Sequence, residues 1–286
     1  MRELKRFTES IILVVSVIAF MMFGSAAAAY ADDNTFTSYS DAQQYIYQNV
    51  MEMNPEIDYT LKLSSMSDFD QFSSTSISGL TALDNGIGTD GDYAALDLYN
   101  GDNFSYSCEE QNGQYIIHVR DQVSYRLSKS QEQEYQDKLN SVMRKVAVKG
   151  NTEKKVKSIY SYVTKNVKYD YSSNLKDTAY TAYAALVNKK AVCNGYAALV
   201  YDMCRKADIP CRIIVGTANG GCHAWNLIKV NGKWYNADAT WDAGNHTYRY
   251  FMKSDKKFRG HKRAAAYSSS RFKRLCPSAS KSLKVS

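Results

Sequence analysis

The chain has 286 residues, of which 44% are hydrophobic and 13% are aromatic, which is enough to bury a globular core. It contains three prolines and no internal repeat, and this composition excludes a linker-rich or solenoid protein. The formal net charge is +7, but no nucleic-acid-binding motif accompanies it, so nucleic acid is not expected as a partner.

Residues 1–31 have the form of a secretory signal peptide. Basic residues precede an apolar run at 11–23, and a stretch of small residues ends at Ala31, which predicts cleavage before Asp32. The alternative is an uncleaved membrane anchor, because the apolar segment 11–29 approaches the roughly 20 residues that span a bilayer. Both interpretations predict a secreted or cell-envelope protein.

The segment 32–127 is predicted to be a small acidic α+β domain. Residues 32–125 contain 2 Lys and Arg against 16 Asp and Glu, a net charge of −14, whereas residues 126–286 carry a net charge of +20. The elements predicted in chain order are a helix at 41–51 capped by Ser40, a strand at 57–63, a loop at 64–92, and strands at 94–99, 103–108 and 115–119. Asn112-Gly113 predicts a hairpin between the last two strands. Carboxylates at 84–92 lack the spacing of an EF-hand, so turns are favoured over a calcium site.

Helices are predicted to open the next domain, at 128–260. Ser130 and Gln133 form a capping-box pattern before a helix at 131–148. In the following helix, apolar residues recur at helical spacing, which indicates core packing; they are Val156, Ile159, Tyr160, Val163 and Val167. A short helix is predicted at 178–187.

Cys193 lies where a turn gives way to an apolar helix at about 193–203. The start of a helix favours the thiolate form of a cysteine, and the thiolate is the nucleophile. The ordinary alternative is that the side chain is simply packed, since cysteine is among the most buried residue types. Cys193 is therefore a candidate nucleophile whose case depends on partners elsewhere in the chain.

His223 and Asp238 are predicted to supply those partners from two strands, 223–230 and 233–238. The Asn231-Gly232 turn predicts an antiparallel hairpin in which Asn226 lies opposite Ala237. A small shift of this register would bring Asp238 within diagonal reach of His223. An imidazole can take the thiol proton, and a carboxylate on its other nitrogen orients the ring.

The motifs around these residues resemble the core of the transglutaminase-like superfamily, in its bacterial extracellular branch. The three motifs are Cys193-Asn194-Gly195-Tyr196-Ala197, His223-Ala224-Trp225-Asn226 and Asp238-Ala239-Thr240-Trp241. The likeness covers residues 128–260, including Val167-Lys168-Tyr169-Asp170 upstream and residues 250–255 downstream.

This resemblance implies a papain-like α+β fold in which the nucleophile helix packs on an antiparallel sheet. It implies that Cys193 is the nucleophile, His223 the acid and base, and Asp238 the residue that orients the imidazole ring, with no metal or organic cofactor. The family also draws an oxyanion donor from upstream of the cysteine, for which Tyr180 and Tyr183 are candidates.

The predicted function is that of an exported cysteine acyltransferase or amidohydrolase acting on protein or peptide amides. Crosslinking, deamidation and proteolysis remain open, because the sequence does not show whether an amine or water accepts the acyl group. The alternative is a non-catalytic binding module of the same fold at the cell envelope. Trp225 and Trp241 lie close in sequence to His223 and Asp238. Their rings are interpreted either as part of the core or as a means of excluding water from the site.

The remaining histidines are interpreted as structural or solvent-exposed. The histidines are His118, His246 and His261. A zinc site formed by Cys204, Cys211, Cys222 and His223 is not favoured, because the paired Cys-x2-Cys spacing is missing and the base would be lost.

Residues 261–286 are predicted to form a basic C-terminal tail. Residues 253–286 hold 11 Lys and Arg and a single acidic residue, Asp255. An anionic cell-wall polymer is one candidate partner; a solvated chain end and a contact with the acidic domain are the alternatives.

Overall fold

The computed structural model describes residues 34–67, 69, 72–73, 98–146, 150–244 and 248–283. The described residues form two compact units, one from 34–73 and 98–125 and the other from 126–283. The predicted signal peptide or anchor, the carboxylates at 84–92, most of the predicted strand at 94–99 and His246 lie outside the described residues.

The first unit combines one helix with an antiparallel hairpin and two further strands. Its elements are β1 (Thr35–Phe36), α1 (Tyr39–Met51), β2 (Glu56–Leu63), β3 (Tyr99–Gln111) and β4 (Gln114–Tyr125), with sheet order β1-β2-β4-β3. Asn112 and Gly113 adopt positive φ angles of 53° and 75° between paired Gln111 and Gln114, as the predicted hairpin requires. The helix and its cap lie two residues earlier than predicted, because Ser38 is the N-cap in place of Ser40 and its side chain accepts the Asp41 amide at 3.2 Å.

Helices precede the sheet of the second unit. They are α2 (Lys129–Val146), α3 (Thr152–Asn166), a 3₁₀ turn (Asp177–Tyr180), α4 (Ala182–Leu186) and α5 (Cys193–Lys206); β5 (Lys168–Tyr169) and β6 (Lys190–Ala191) pair in parallel among them. The predicted apolar stripe of α3 is buried. The capping box is Ser128 with Gln131, not the predicted Ser130 with Gln133: Gln131 N donates to Ser128 Oγ at 3.2 Å, and Ser128 N donates to Gln131 Oε1 at 2.9 Å.

The sheet of the second unit is antiparallel, with strand order β10-β7-β8-β9. Its strands are β7 (Cys211–Ala218), β8 (Gly221–Val230), β9 (Lys233–Ala237) and β10 (His261–Arg263), and two short helices follow strands, α6 (Ala239–Asp242) and α7 (Ser270–Leu275). The predicted Asn231-Gly232 hairpin is present, and Asn226 pairs with Ala237 as expected. Of the helices that the structure describes, none has the length and apolar character needed to cross a membrane.

Asn226 joins α5 to this sheet. Its fully buried Nδ2 donates to the Ala197 carbonyl of α5 at 2.9 Å and lies 3.4 Å from the Arg212 carbonyl of β7. Because one side chain satisfies backbone oxygens on both elements, it fixes α5 against the sheet. This arrangement, a helix packed on an antiparallel sheet, is the α+β fold that the resemblance implies.

The C-terminal segment is part of the second unit, not a solvated end. The strand β10 pairs with β7, and Phe272 and Cys276 pack in a buried cluster with Ile214 and Trp225. Since Phe272 and Cys276 are spaced one helical turn apart, they face the sheet together while basic residues of α7 stay exposed. The described part of the second unit therefore continues past the predicted boundary at residue 260.

Candidate active site

The helix α5 begins at Cys193, as the sequence predicts. The residue is 7% exposed and packs against Ala197 and Ala224, the second of which lies on β8. Its sulfur is therefore at the positive end of the helix dipole, on the side of α5 that faces the sheet.

Gly195 allows the start of α5 to approach the preceding chain closely. A Cβ at this position would lie 2.7 Å from the Ala191 Cβ and 2.7 Å from the Thr181 carbonyl oxygen, distances that real side chains do not adopt. The glycine of the Cys-x-Gly motif thus has a packing role at the start of α5.

His223 and Asp238 are in direct contact, with 2.8 Å between His223 Nε2 and Asp238 Oδ2. The register shift suggested by the sequence does not occur. Strand pairing ends at Ala237, and Asp238 becomes the N-cap of α6, where its Oδ1 accepts the backbone amides of Thr240 at 2.9 Å and Trp241 at 3.2 Å. Because these bonds hold Oδ1, the second carboxylate oxygen is directed to His223.

The charges of the site favour a protonated His223. Burial lowers the pKa of this ring, but hydrogen bonds to Asp238 and Cys193, together with their charges, raise it further, and the resulting pKa is about 9. For Asp238, burial raises the pKa, but hydrogen bonds from His223 and His261 outweigh burial, so the pKa is lowered. The net effect on His223 is thus the raised pKa that a neighbouring carboxylate gives an imidazole.

A second histidine, His261, also binds Asp238, and the sequence did not reveal it. Its Nε2 lies 2.9 Å from the same Oδ2 that His223 contacts, and its side chain is 1% exposed. Of the two interpretations offered for His261, structural or solvent-exposed, the buried side chain rules out the second. No motif marks it, because it reaches Asp238 only through the pairing of β10 with β7.

Aromatic rings surround the two histidines. The Trp225 and Trp241 rings lie 6.2 Å and 5.5 Å from the His223 ring, and the Phe258 ring stacks on His261 at 3.9 Å. Asp238 is 0% exposed beneath them. The low local polarity strengthens the hydrogen bonds to its carboxylate.

Of the two tyrosines considered as oxyanion donors, Tyr183 has another hydrogen-bond partner. The Tyr183 hydroxyl donates to Glu134 Oε2 at 3.0 Å, which engages it away from Cys193. Tyr180 ends the 3₁₀ turn before α4.

Among the described residues, a possible set of metal ligands is His223, Asp238 and His261, whose ligand atoms lie within 4.8 Å of one another. Cys204, Cys211 and Cys222, weighed above as zinc ligands, do not join such a group. Both ring nitrogens already face one carboxylate oxygen at hydrogen-bond distance, and a metal ion would have to displace both bonds. We therefore interpret the cluster as a hydrogen-bonded unit.

Comparison with known proteins agrees with this architecture. A sequence model described as the transglutaminase-like superfamily matches residues 140–239. Kyphoscoliosis peptidase from Homo sapiens is 30% identical over 104 residues, a match that covers 32% of this chain and 16% of the human protein, and the Mus musculus protein matches with the same figures. The chain thus spans only a small part of these relatives.

Two solved structures show weaker likenesses. One, described as a TGase, has a TM-score of 0.38 and 17% identity and covers 71% of this chain and 56% of its own. The other, a putative cysteine protease from Cytophaga hutchinsonii, has a TM-score of 0.35 and 18% identity, with coverages of 57% and 68%. On this sequence match, residues 140–239 are similar to the transglutaminase-like superfamily, which includes cysteine peptidases and acyltransferases.

Proposed function

We propose that this protein is a cysteine-dependent acyltransferase or amidohydrolase that acts on protein or peptide amides through Cys193, His223 and Asp238. The observation that carries the proposal is the position of His223, which hydrogen-bonds the Asp238 carboxylate with one ring nitrogen and interacts with the Cys193 thiol. In the proposed mechanism a proton passes between the Cys193 sulfur and this ring.

The first half of the reaction forms a thioester. The Cys193 thiolate attacks the amide carbonyl carbon, and the carbonyl π electrons move to the oxygen. When the C=O bond re-forms, the C–N bond breaks, and the departing amine or ammonia takes the proton of the His223 imidazolium. Asp238 keeps the His223 ring in the same orientation while the ring changes from imidazolium to neutral imidazole.

The second half transfers the acyl group. An amine or a water molecule attacks the thioester carbon and gives its proton to His223, and the C–S bond breaks to restore the thiolate. An amine acceptor yields a crosslink, whereas water yields deamidation or peptide cleavage. The relative kyphoscoliosis peptidase is named for cleavage of peptide bonds, which supports water as one acceptor.

We also propose that the protein is exported. Support comes from the pattern of basic, apolar and small residues at 1–31. N-terminal sequencing of the secreted protein should find Asp32 first, and retention of residues 1–31 in a membrane fraction would instead indicate an anchor. The exposed basic side chains of α7 support an anionic polymer as a further partner, which salt-dependent binding to isolated cell walls would test.

The test of the chemistry begins with iodoacetamide labelling near neutral pH, read by mass spectrometry. Cys193 is buried and Cys108 is exposed, so accessibility alone favours Cys108. A thiolate at Cys193 should reverse this order. Faster labelling of Cys108 would contradict the proposal.

Activity is then measured with a glutamine-containing protein and an amine probe. Mass spectrometry separates amine addition, deamidation and chain cleavage. Cys193→Ala should abolish all three, and Asp238→Asn should lower the rate by about four orders of magnitude, because an amide in place of the carboxylate favours the wrong imidazole tautomer. Cys276→Ala, which removes a buried thiol of another cluster, is the matched control and should retain activity.

A further inference from the structure

The ring of His261 has an oxygen acceptor at each nitrogen. Its Nε2 lies 2.9 Å from Asp238 Oδ2, and its Nδ1 lies 3.2 Å from the backbone carbonyl oxygen of Arg259. Neither a carboxylate nor a carbonyl oxygen can donate a hydrogen bond. A neutral imidazole carries one N–H and satisfies only one of these oxygens, whereas an imidazolium satisfies both.

The surroundings of His261 suit a positive charge. Four aromatic rings have their centroids within 6 Å of the ring centroid, a distance at which the π electrons attract a cation. They belong to Phe258 at 3.9 Å, Trp241 at 4.4 Å, Trp225 at 5.1 Å and Tyr250 at 5.6 Å.

The ionisable groups that face His261 are few. Asp238 binds it directly, and the His223 ring lies 5.5 Å away, beyond the shared carboxylate. His261 also lines a cavity of about 180 Å³, together with the charged residues Asp255, Arg263 and Lys273. The Arg263 guanidinium is paired with Asp255 at 2.6 Å, so its charge is largely balanced.

We propose that His261 is a positioning residue of this site: it is positively charged in the resting protein and holds Asp238 Oδ2 between two imidazole rings. This inference rests on the proposed function, since it concerns how the same carboxylate serves His223. It extends the set Cys193, His223 and Asp238 by a member from the edge strand β10.

The charge has a measurable consequence. With a thiolate at Cys193, the site contains two negative groups, the sulfur and Asp238, and two positive groups, His223 and His261. Loss of the His261 charge leaves the site with a net negative charge, which opposes formation of the thiolate and favours retention of the proton on His223. Deprotonation of the Cys193 thiol and deprotonation of His223 should therefore both occur at higher pH.

The test is the pH dependence of Cys193 alkylation by iodoacetamide in the full-length protein, which requires no knowledge of the substrate. In His261→Gln the amide can still donate to Asp238 but carries no charge. We expect both limbs of its rate profile to move up by about one pH unit, so that alkylation on the acidic limb falls about tenfold. A profile identical to that of the wild type would overturn the proposal.

Two further variants separate positioning from general stability. His261→Leu removes the donor as well as the charge, and it should shift the profile at least as far and also lower the plateau rate. His118→Gln is the matched control, because His118 contacts Thr60 and should leave the profile unchanged. Should the leucine variant not fold, the glutamine variant still decides the question.

The charge itself is read by ¹⁵N NMR of the histidine side chains at neutral pH. Protonation of both nitrogens of His261 supports the proposal, and a neutral tautomer overturns it. Failure of the proposed function would look different: Cys193 of the wild type would be alkylated no faster than Cys108, whatever the protonation of His261.

Discussion

The hydroxyl group of Tyr160 lies 2.6 Å from the backbone carbonyl oxygen of Asp238. The same hydroxyl lies 2.6 Å from Asp242 Oδ2, and Asp242 in turn accepts the amides of Arg249 and Tyr250. Tyr160 is fully buried on α3. One phenol thus ties α3 to the N-cap residue of α6, Asp238, which contacts His223, and to the last residue of α6, Asp242.

Replacement of Tyr160 by Phe should loosen this support. Removing the hydroxyl leaves the buried oxygens of Asp238 and Asp242 with fewer donors, so we expect a loss of about 1 to 3 kcal/mol in the free energy of unfolding. Urea denaturation measures the loss. Tyr162→Phe on the same helix is the control: its half-buried hydroxyl contacts Lys189 at 3.0 Å, and its removal should cost less than about 1 kcal/mol.

Gly216→Ala should displace β10 and with it His261. A Cβ at Gly216 would lie 2.1 Å from the Lys262 carbonyl oxygen and 2.9 Å from the Trp225 side chain. We expect a loss of about 1 to 3 kcal/mol, because overpacking forces the neighbouring strand away, together with the upward shift of the Cys193 alkylation profile expected for loss of His261. Gly221→Ala adds a methyl group with only the Ala218 carbonyl oxygen nearby, at 3.8 Å, and should leave both measurements unchanged.

Asn226→Asp should destabilise the second unit strongly. The substitution replaces the buried Nδ2 donor by a carboxylate facing the carbonyls of Ala197 and Arg212. The expected cost is about 3 to 5 kcal/mol at neutral pH, and it should shrink at low pH, where the new carboxyl is protonated. On the surface, Asn166 makes a similar bond to the Tyr162 carbonyl at 2.8 Å, and Asn166→Asp should cost less than about 1 kcal/mol. Thermal unfolding of the pair at several pH values checks the comparison, and equal costs would contradict it.

Stability should depend on the protonation of His223. Its pKa is about 9 in the folded protein and about 6.5 when unfolded, so the folded state binds the proton more tightly. The stabilisation is fully present below about pH 6.5 and disappears as the pH rises through about 9. The difference in free energy of unfolding between the wild type and His223→Gln should therefore narrow over this interval. A constant difference in urea titrations from pH 6 to pH 9.5 would show that folding does not raise the pKa of His223.

The local features of the site were predictable because each depends on residues close in sequence. Cys193 begins its helix where an apolar run follows a turn, and Asn231-Gly232 determines the register of β8 and β9 through two positive φ angles. The end of β9 was harder to predict. The alternation of apolar and polar residues extends the strand to Asp238, whereas in the structure Asp238 caps α6 and does not pair with β8. Strand pairing and helix capping are alternatives for this single residue.

The amino-acid sequence by itself determined the nucleophile helix, the hairpin and the pairing partners near the turn, since hydrophobic periodicity and turn chemistry act over a few residues. Only the tertiary structure decided that His261 shares Asp238 with His223 and that residues after 260 complete the sheet. That contact joins positions 23 residues apart through an edge strand of three residues, too short to show a period. The position of this edge strand depends on the close approach that Gly216 permits and on the apolar cluster around Phe272. Both are contacts between distant parts of the chain, which local sequence patterns do not predict.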